Sequence, residues 1–201
     1  MIATLVRRAL LQFRWMAVLI AVLLSAAYLP VAQAQNAPRY FSQTGHYLRG
    51  AFRSFWERSG GLRTFGYPVT EEYVRAADGR VVQYFERARF ELTVSNGQAI
   101  IALGRLGVEA SGNRAFPQVP PFRSYAARTY FPETSHSLFG GFKITWERQG
   151  GAAIFGAPIS EEIQEQLADG RWHTVQYFER ARFELWSDGV RLGLLGRALA
   201  P

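Results

Sequence analysis

The sequence predicts an α+β fold made by tandem duplication, in which each copy is an amphipathic helix followed by a four-stranded antiparallel β-meander. The string Val-Gln-Tyr-Phe-Glu-Arg-Ala-Arg-Phe-Glu-Leu occurs twice without change, at residues 82–92 and 175–185. Weaker matches keep the same order around it: Phe41 with Phe131, His46 with His136, Trp56 with Trp146, and Phe65-Gly66 with Phe155-Gly156. The expected domains are a signal peptide at 1–34, a first repeat at 35–107, a proline-containing linker at 108–128 and a second repeat at 129–201.

The helix of each copy is predicted from the spacing of apolar residues. One stripe of a helix with a period of about 3.6 residues holds Leu48, Phe52, Phe55 and Trp56 in the first copy, and Leu138, Phe142 and Trp146 in the second. Thr44 and Thr134 are expected to cap the two N-termini. The Gly-Gly pairs at 60–61 and 150–151 can adopt the left-handed conformation that ends a helix.

Turn dipeptides predict the strands that follow each helix. Asp78-Gly79 and Asp169-Gly170 are typical of β-hairpins, and similar signals stand at 95–97 and 187–189. In the first copy, the expected strands are 71–75, 81–85, 90–94 and 99–103. In the second copy, they include 161–167, 183–186 and 190–195. Residues 161–167 contain good helix formers, but the duplicated position argues for a strand. The linker is expected to be ordered, because Phe116, Val119 and Phe122 can dock on a domain.

The N-terminal segment is predicted to direct export. Arg7, Arg8 and Arg14 precede an apolar run at 15–29 and the small-x-small site at 32–34. The run is shorter than the roughly 20 residues that span a bilayer, so cleavage after Ala34 is favoured over an uncleaved membrane anchor. We expect a secreted or envelope protein that contacts the membrane only through this segment, if it is retained.

Composition narrows the range of possible partners. The chain has no cysteine, which excludes disulfides, thiolate metal sites and a cysteine nucleophile. Removing the three signal-peptide arginines lowers the net charge from +7 to +4, so nucleic acid is not an expected partner. Neither a metal nor another cofactor is predicted, since His46 and His136 lack a second ligand at suitable spacing. Both histidines are interpreted as capping or core residues.

The order of these motifs resembles the LGFP repeat of bacterial cell-wall-associated proteins. The similarity covers residues 56–92 and 146–185, through Trp-x3-Gly-Gly, Phe-Gly-x-Pro-x-[Ser/Thr]-Glu-Glu and Val-Gln-Tyr-Phe-Glu. Phe65 and Phe155 replace the leucine of that family, and Arg-Ala at 87–88 and 180–181 replaces its Gly-Gly. The resemblance implies attachment of an exported protein to the cell wall.

The candidate ligand-binding residues lie on the duplicated strand and among the aromatic residues unique to the second copy: Tyr84, Arg89, Glu91, Trp172, Tyr177, Arg182, Glu184 and Trp186. Alternation along a strand puts Arg89 and Glu91 on one face, where they could bind sugar hydroxyls or wall carboxylates. The alternative interpretation is a structural Arg–Glu network, which the exact duplication of both charges favours. Trp172 and His173 fall in an insertion of the second copy, without counterparts in the first.

These observations predict a non-catalytic binding protein. Pairs such as Glu71-Glu72 and Glu161-Glu162 suggest a glycan hydrolase, but adjacent strand residues point to opposite faces, so neither pair makes such a site alone. We expect binding to peptidoglycan or wall polysaccharide. A structural or protein-interaction module of a surface layer, with an envelope protein as partner, remains the alternative. Oligomeric state and the identity of the glycan are left open.

Overall fold

The protein has a mixed α/β fold: in the computed structural model, residues 37–201 contain six helices and four antiparallel sheets. The predicted signal peptide and its cleavage site lie outside these described residues. Residues Arg39–Pro201 form one compact unit. No helix between residues 37 and 201 combines the length and the apolarity needed to cross a membrane.

Residues 39–110, here called the first half, begin with a hairpin and end with a short helix. The elements are β1 (Arg39–Phe41), β2 (His46–Leu48), α1 (Gly50–Arg58), α2 (Gly61–Phe65), β3 (Tyr73–Val74), β4 (Val81–Tyr84), β5 (Arg89–Ser95), β6 (Gln98–Leu103) and α3 (Leu106–Ala110). Strands β3 to β6 pair in sequence order, so they form the predicted antiparallel meander.

Residues 128–199, the second half, repeat this order of elements. They are β7 (Arg128–Phe131), β8 (His136–Phe139), α4 (Gly140–Arg148), α5 (Gly151–Phe155), β9 (Ile163–Gln166), β10 (Trp172–Tyr177), β11 (Arg182–Trp186), β12 (Gly189–Leu192) and α6 (Leu195–Leu199). The strand at β9 confirms the choice of strand over helix for this segment. The β10 strand pairs with both β9 and β11, in a second four-stranded meander.

An aromatic core joins each long helix to its meander. In the first half, Phe90 on β5 meets Phe65 edge-to-face at 4.8 Å between ring centroids, and Phe52 of α1 packs on the same ring. Such aromatic pairs add about 0.5–1.5 kcal/mol beyond the burial of their area. Trp56 and Trp146 also donate their indole N–H to Gly66 O and Gly156 O, each at 3.0 Å. The tryptophan helix is therefore fixed by both packing and a hydrogen bond.

The predicted helix starts were wrong. Leu48 and Leu138 are fully buried but belong to strands: Leu48 is the last residue of β2, and Leu138 is the last but one of β8. The helices begin at Gly50 and Gly140. Thr44 and Thr134 lie in the turns of the two N-terminal hairpins, where their backbone N–H groups donate to the carbonyls of Phe41 and Phe131. A residue near the end of the strand is buried on the same core as the helix that follows. In the sequence, its spacing therefore looks like one more turn of the apolar helix stripe.

The glycine pairs were interpreted correctly in conformation, and they also start a second helix. Gly60 and Gly150 are left-handed, with φ of 116° and 114°. Each directly precedes a short helix, α2 or α5. A Cβ on Gly60 would collide with the side chain of Thr64, so this tight link between two helices requires glycine.

Two five-residue helices that were not predicted hold the halves together. Gly107 of α3 lies against the carbonyl oxygens of Phe178 and Ala181 in the second half. Gly196 of α6 makes the same approach to the carbonyl oxygens of Phe85 and Ala88 in the first half. Each half therefore places its last helix on the β-turn of the other. The sequence signal for these helices is Leu-Gly-x-Leu-Gly, which occurs at 103–107 and 192–196.

The connecting segment is ordered on the second half. Phe116 stacks on Tyr177 at 5.5 Å between ring centroids, and Phe122 lies 5.3 Å from Tyr130. The N–H of Val119 donates to Ser135 O at 3.0 Å. The apolar residues of the predicted linker thus dock as expected, although helix α3 extends into its beginning.

Candidate functional site: a cleft beside Trp186

The charged residues of the duplicated strand face the layer formed by α3 and α6. The register pairs Tyr84 with Arg89 in the first half and Tyr177 with Arg182 in the second, so each pair shares a sheet face. On the first half, Tyr84 packs with Leu106 of α3 and Leu195 of α6. The opposite sheet faces carry the phenylalanines of the aromatic cores. The duplicated string therefore puts its charges between sheet and helices, as strand alternation predicts.

In the first half this face is closed by its own ion pairs. The Arg89 guanidinium contacts Glu91 at 2.7 Å and binds Glu109 of α3 through two hydrogen bonds of 2.8 Å. Glu91 also accepts from Arg75 at 3.1 Å and from Arg80 at 2.7 Å. Burial raises the pKa of the Glu91 carboxyl, but these hydrogen bonds outweigh burial and hold that pKa below its usual range. The cluster is a structural network that ties the sheet to α3.

The same string has fewer partners in the second half. Arg182 binds Glu184 at 2.7 Å and Glu165 of β9 at 2.9 Å. The other oxygen of Glu184 accepts the indole N–H of Trp186 at 3.1 Å. Here one guanidinium group faces two carboxylates, whereas in the first half three guanidinium groups face Asp78, Glu91 and Glu109.

Strand register identifies the substitutions behind this difference. Tyr73 pairs with Val82 and Ile163 pairs with Val175, so Arg75 corresponds to Glu165 and Arg80 to His173. His173 therefore has a counterpart, contrary to expectation, because the insertion lengthens only the tip of the β9–β10 hairpin. Counting from the Leu-Gly-x-Leu-Gly motifs, Glu109 of α3 corresponds to Ala198 of α6. Glu165 replaces Glu109 as the second partner of the arginine.

A cleft of about 660 Å³ opens where the second half lacks these side chains. Its polar lining includes Arg182, Glu184, Trp186 and Asp169, and its apolar lining includes Ala198 and Leu199. Glu184 and Trp186 also line a neighbouring cleft of about 490 Å³, together with Arg63, Arg87 and Arg191. We call the first the α6 cleft and the second the arginine cleft. Small residues on α6, where α3 has Glu109, leave the α6 cleft open.

Trp186 lines both clefts, together with Glu184 and Leu194, and its ring already has two neighbours. The imidazole of His173 lies 4.1 Å from it between ring centroids, and the Arg191 guanidinium carbon lies 4.6 Å from its centroid. His173 bonds Asp169 at 2.9 Å, and this hydrogen bond raises the pKa of the imidazole. The indole is held in place by these contacts and by Glu184.

The structure brings only some of the predicted ligand-binding residues to the α6 cleft. Arg182, Glu184 and Trp186 line it, and Tyr177 lies buried beneath, donating to Glu165 at 3.0 Å.

The remaining candidates lie elsewhere. Tyr84, Arg89 and Glu91 are buried under α3 and line neither of the two clefts. Trp172 is 68% exposed, but its neighbour His173 shares a face with Trp186, so Trp172 points to the opposite face of the sheet. Because they lie on opposite faces of the sheet, Trp172 and Trp186 do not contact the same ligand.

The glutamate pairs have structural partners. Glu71 accepts from the N–H of Tyr47 at 2.9 Å, and Glu161 accepts from the N–H and hydroxyl of Ser137 at 2.6 Å each. Both carboxylates fasten an N-terminal hairpin to its meander. Their neighbours Glu72 and Glu162 have pKa values raised by burial. Among the described residues, no three His, Asp or Glu side chains come together in a way that could hold a metal ion.

No protein-family model matches this sequence, and no curated protein matches it significantly.

Proposed function

We propose that the protein is an exported, non-catalytic module that attaches to the cell envelope by binding peptidoglycan or an associated wall polysaccharide through the α6 cleft. The observation that carries this proposal is that two strands of identical sequence have different surroundings. The first half fills the face of the string with its own side chains, and the second half leaves the same face open beside Trp186. The export signal predicted at 1–34 and the LGFP-like motifs support an envelope location.

Two identical strings in two halves with the same order of elements support descent from one duplicated unit. Duplication permits one copy to keep a structural role while the other changes. In this protein the first half carries the closed ion-pair network, and its α3 braces the turn of the second half. The second half braces the first half in the same way through α6 but lacks the closed ion-pair network, and it supplies the ligand site.

The chemistry of the α6 cleft suits a wall polymer. A carboxylate and a guanidinium offer directed hydrogen bonds to hydroxyl and amide groups, and the indole ring of Trp186 and the apolar wall of α6 pack against sugar rings or alkyl chains. Such sites have a few placed polar groups in a mostly apolar cleft. Trp172 supplies a second exposed aromatic surface, on the other face of the same sheet.

The test is retention of the chain without its first 34 residues on purified cell-wall sacculi. Trp186→Thr introduces the residue that the first half has at this position, Thr93, and should reduce retention at least tenfold. Tyr125→Ala removes another exposed aromatic residue, far from the string in sequence, and should leave retention unchanged. Both variants are first checked for unaltered thermal unfolding.

Absence of retention by the folded wild-type chain would overturn the wall-binding proposal. Capture of the same chain by isolated envelope protein, with no retention on sacculi, would establish the protein-interaction module instead. Equal retention of wild type and Trp186→Thr would keep the wall as ligand but remove the α6 cleft as its site.

A further inference from the structure

Glu91 and Glu184 occupy the same position of identical strings but differ in the cations that they receive. Glu91 is contacted by the guanidinium groups of Arg75, Arg80 and Arg89 at 3.1, 2.7 and 2.7 Å. Glu184 is contacted by one guanidinium group, that of Arg182, at 2.7 Å. The first half therefore demonstrates that this backbone position can hold a carboxylate with two further cationic groups.

The second half retains an uncompensated negative charge at this place. Arg182 is the cation that forms salt bridges with Glu165 and Glu184, and the nearby Asp169 is paired with His173 at 2.9 Å. In these salt bridges, three carboxylates share Arg182 and His173, so one negative charge remains even when His173 is protonated. Arg191 lies opposite Glu184 in the register of β11 and β12 and attracts its carboxylate, but Arg191 is itself paired with Asp188 at 2.7 Å, so this pair leaves the sum of charges unchanged. A buried carboxylate is stabilised strongly by an additional cation in such surroundings.

The Glu184 carboxylate can accept further hydrogen bonds. One of its oxygens accepts both contacts from Arg182, and the other accepts a single N–H from Trp186. A carboxylate offers about four acceptor positions on its two oxygens. Glu184 lines the α6 cleft, so an incoming donor can approach it from there.

We propose that the α6 cleft binds a primary ammonium group carried by the peptide stems of the cell wall, with Glu184 as its counter-ion. This assignment rests on the proposed wall-binding function and names the part of the wall that is recognised. The ligand group takes the place that the guanidinium groups of Arg75 and Arg80 fill in the first half, and its alkyl chain lies along Ala198 and Leu199 of α6. The arginine cleft, on the other side of Trp186, repels a cation, so the ammonium group enters from the α6 side.

The experiment compares retention of the chain without its first 34 residues on untreated sacculi and on sacculi whose free amino groups have been acetylated. Acetylation removes the positive charge and leaves the glycan strands intact. The key variant is His173→Arg, which restores the residue that the first half has at this position and gives Glu184 an internal guanidinium. Arg80→His is the matched control, because it makes the reverse exchange in the first half, away from the α6 cleft.

We expect acetylation to reduce retention of the wild-type chain at least tenfold, and His173→Arg to reduce retention on untreated sacculi equally while Arg80→His binds as wild type. Equal retention on acetylated and untreated sacculi overturns the ammonium assignment and leaves the wall-binding function standing. Retention on neither material overturns the wall-binding function itself. If His173→Arg alters the thermal unfolding, Glu184→Gln replaces it, and undiminished binding by a folded Glu184→Gln chain also overturns the assignment.

Discussion

The reciprocal docking of α3 and α6 predicts a large loss of stability from one methyl group. A Cβ at position 107 would collide with the carbonyl oxygen of Phe178 and lie 2.7 Å from that of Ala181, both of them backbone atoms. Gly107→Ala therefore forces α3 away from the turn and weakens the hydrogen bond from Val108 N–H to Glu179 O, which is 3.3 Å long. Gly196→Ala does the same on the opposite side.

The expected magnitude comes from three contributions. Overpacking costs about 1–3 kcal/mol, and loss of the hydrogen bond costs about 1 kcal/mol. The better helix propensity of alanine offsets about 1 kcal/mol of this. The net loss in the free energy of unfolding is about 1–3 kcal/mol, and at about 2–4 °C per kcal/mol Tm falls by roughly 2–12 °C.

Thermal unfolding followed by circular dichroism measures this change, with Gly141→Ala as the control. Gly141 also lies in a helix, but its new methyl group would meet only the Val190 side chain at 3.4 Å. The control should unfold at or slightly above the wild-type temperature. A Gly107→Ala chain as stable as wild type, or an equal loss in both variants, would refute the docking of α3 on the second half.

Three further results are expected. Trp56→Ala should lower the free energy of unfolding in urea by about 3–5 kcal/mol, since it empties a buried site and removes a hydrogen bond; a change below about 1 kcal/mol would contradict the core. Glu91→Gln should destabilise by about 3–5 kcal/mol because it removes a buried carboxylate that three guanidinium groups share, one of them the buried Arg89, and Glu184→Gln should cost less in the same assay; the reverse ranking would refute the charge count. Burial lowers the pKa of His136 below 6.5, so the folded state resists protonation and stability should fall as pH drops through and below that value. Urea unfolding at about pH 7.5 and about pH 5.5 should show a smaller difference for His136→Gln, and an unchanged difference would assign the effect to other groups.

The strands could be predicted because their signals are local. The Asp-Gly dipeptides fix the hairpins, and alternation along the duplicated string puts Arg89 and Glu91 on one face, as the structure has them. The short helices could not be found by period, since five residues complete little more than one turn of a helix. Only the recurrence of Leu-Gly-x-Leu-Gly at 103–107 and 192–196 indicated that something was shared there.

The candidate site was harder to predict because the strings are identical. Identical residues led to the same expectation for both halves, although the first-half residues are covered and the second-half residues line a cleft. The difference comes from residues outside the strings, namely Glu165 in place of Arg75 and Ala198 in place of Glu109. Their equivalence depends on the strand register and on the positions of helices α3 and α6. Neither can be derived from the duplicated string.

The exchange of partners also explains how the cleft could open without loss of the fold. The Arg182 side chain is 17% exposed and needs carboxylate partners; its first-half equivalent, Arg89, takes one of them from α3 through Glu109. Once Glu165 on β9 supplies that charge, α6 is no longer needed as a partner and can carry Ala198. The same change removes the cation that Arg75 gives to Glu91, because one position cannot hold both charges. A single substitution pattern therefore frees space on the helix and leaves a negative charge unpaired beneath it. A cationic ligand requires both an open volume and an unpaired negative charge, and the α6 cleft offers the two together. In the first half, arginine side chains fill the equivalent space and pair with the equivalent carboxylate.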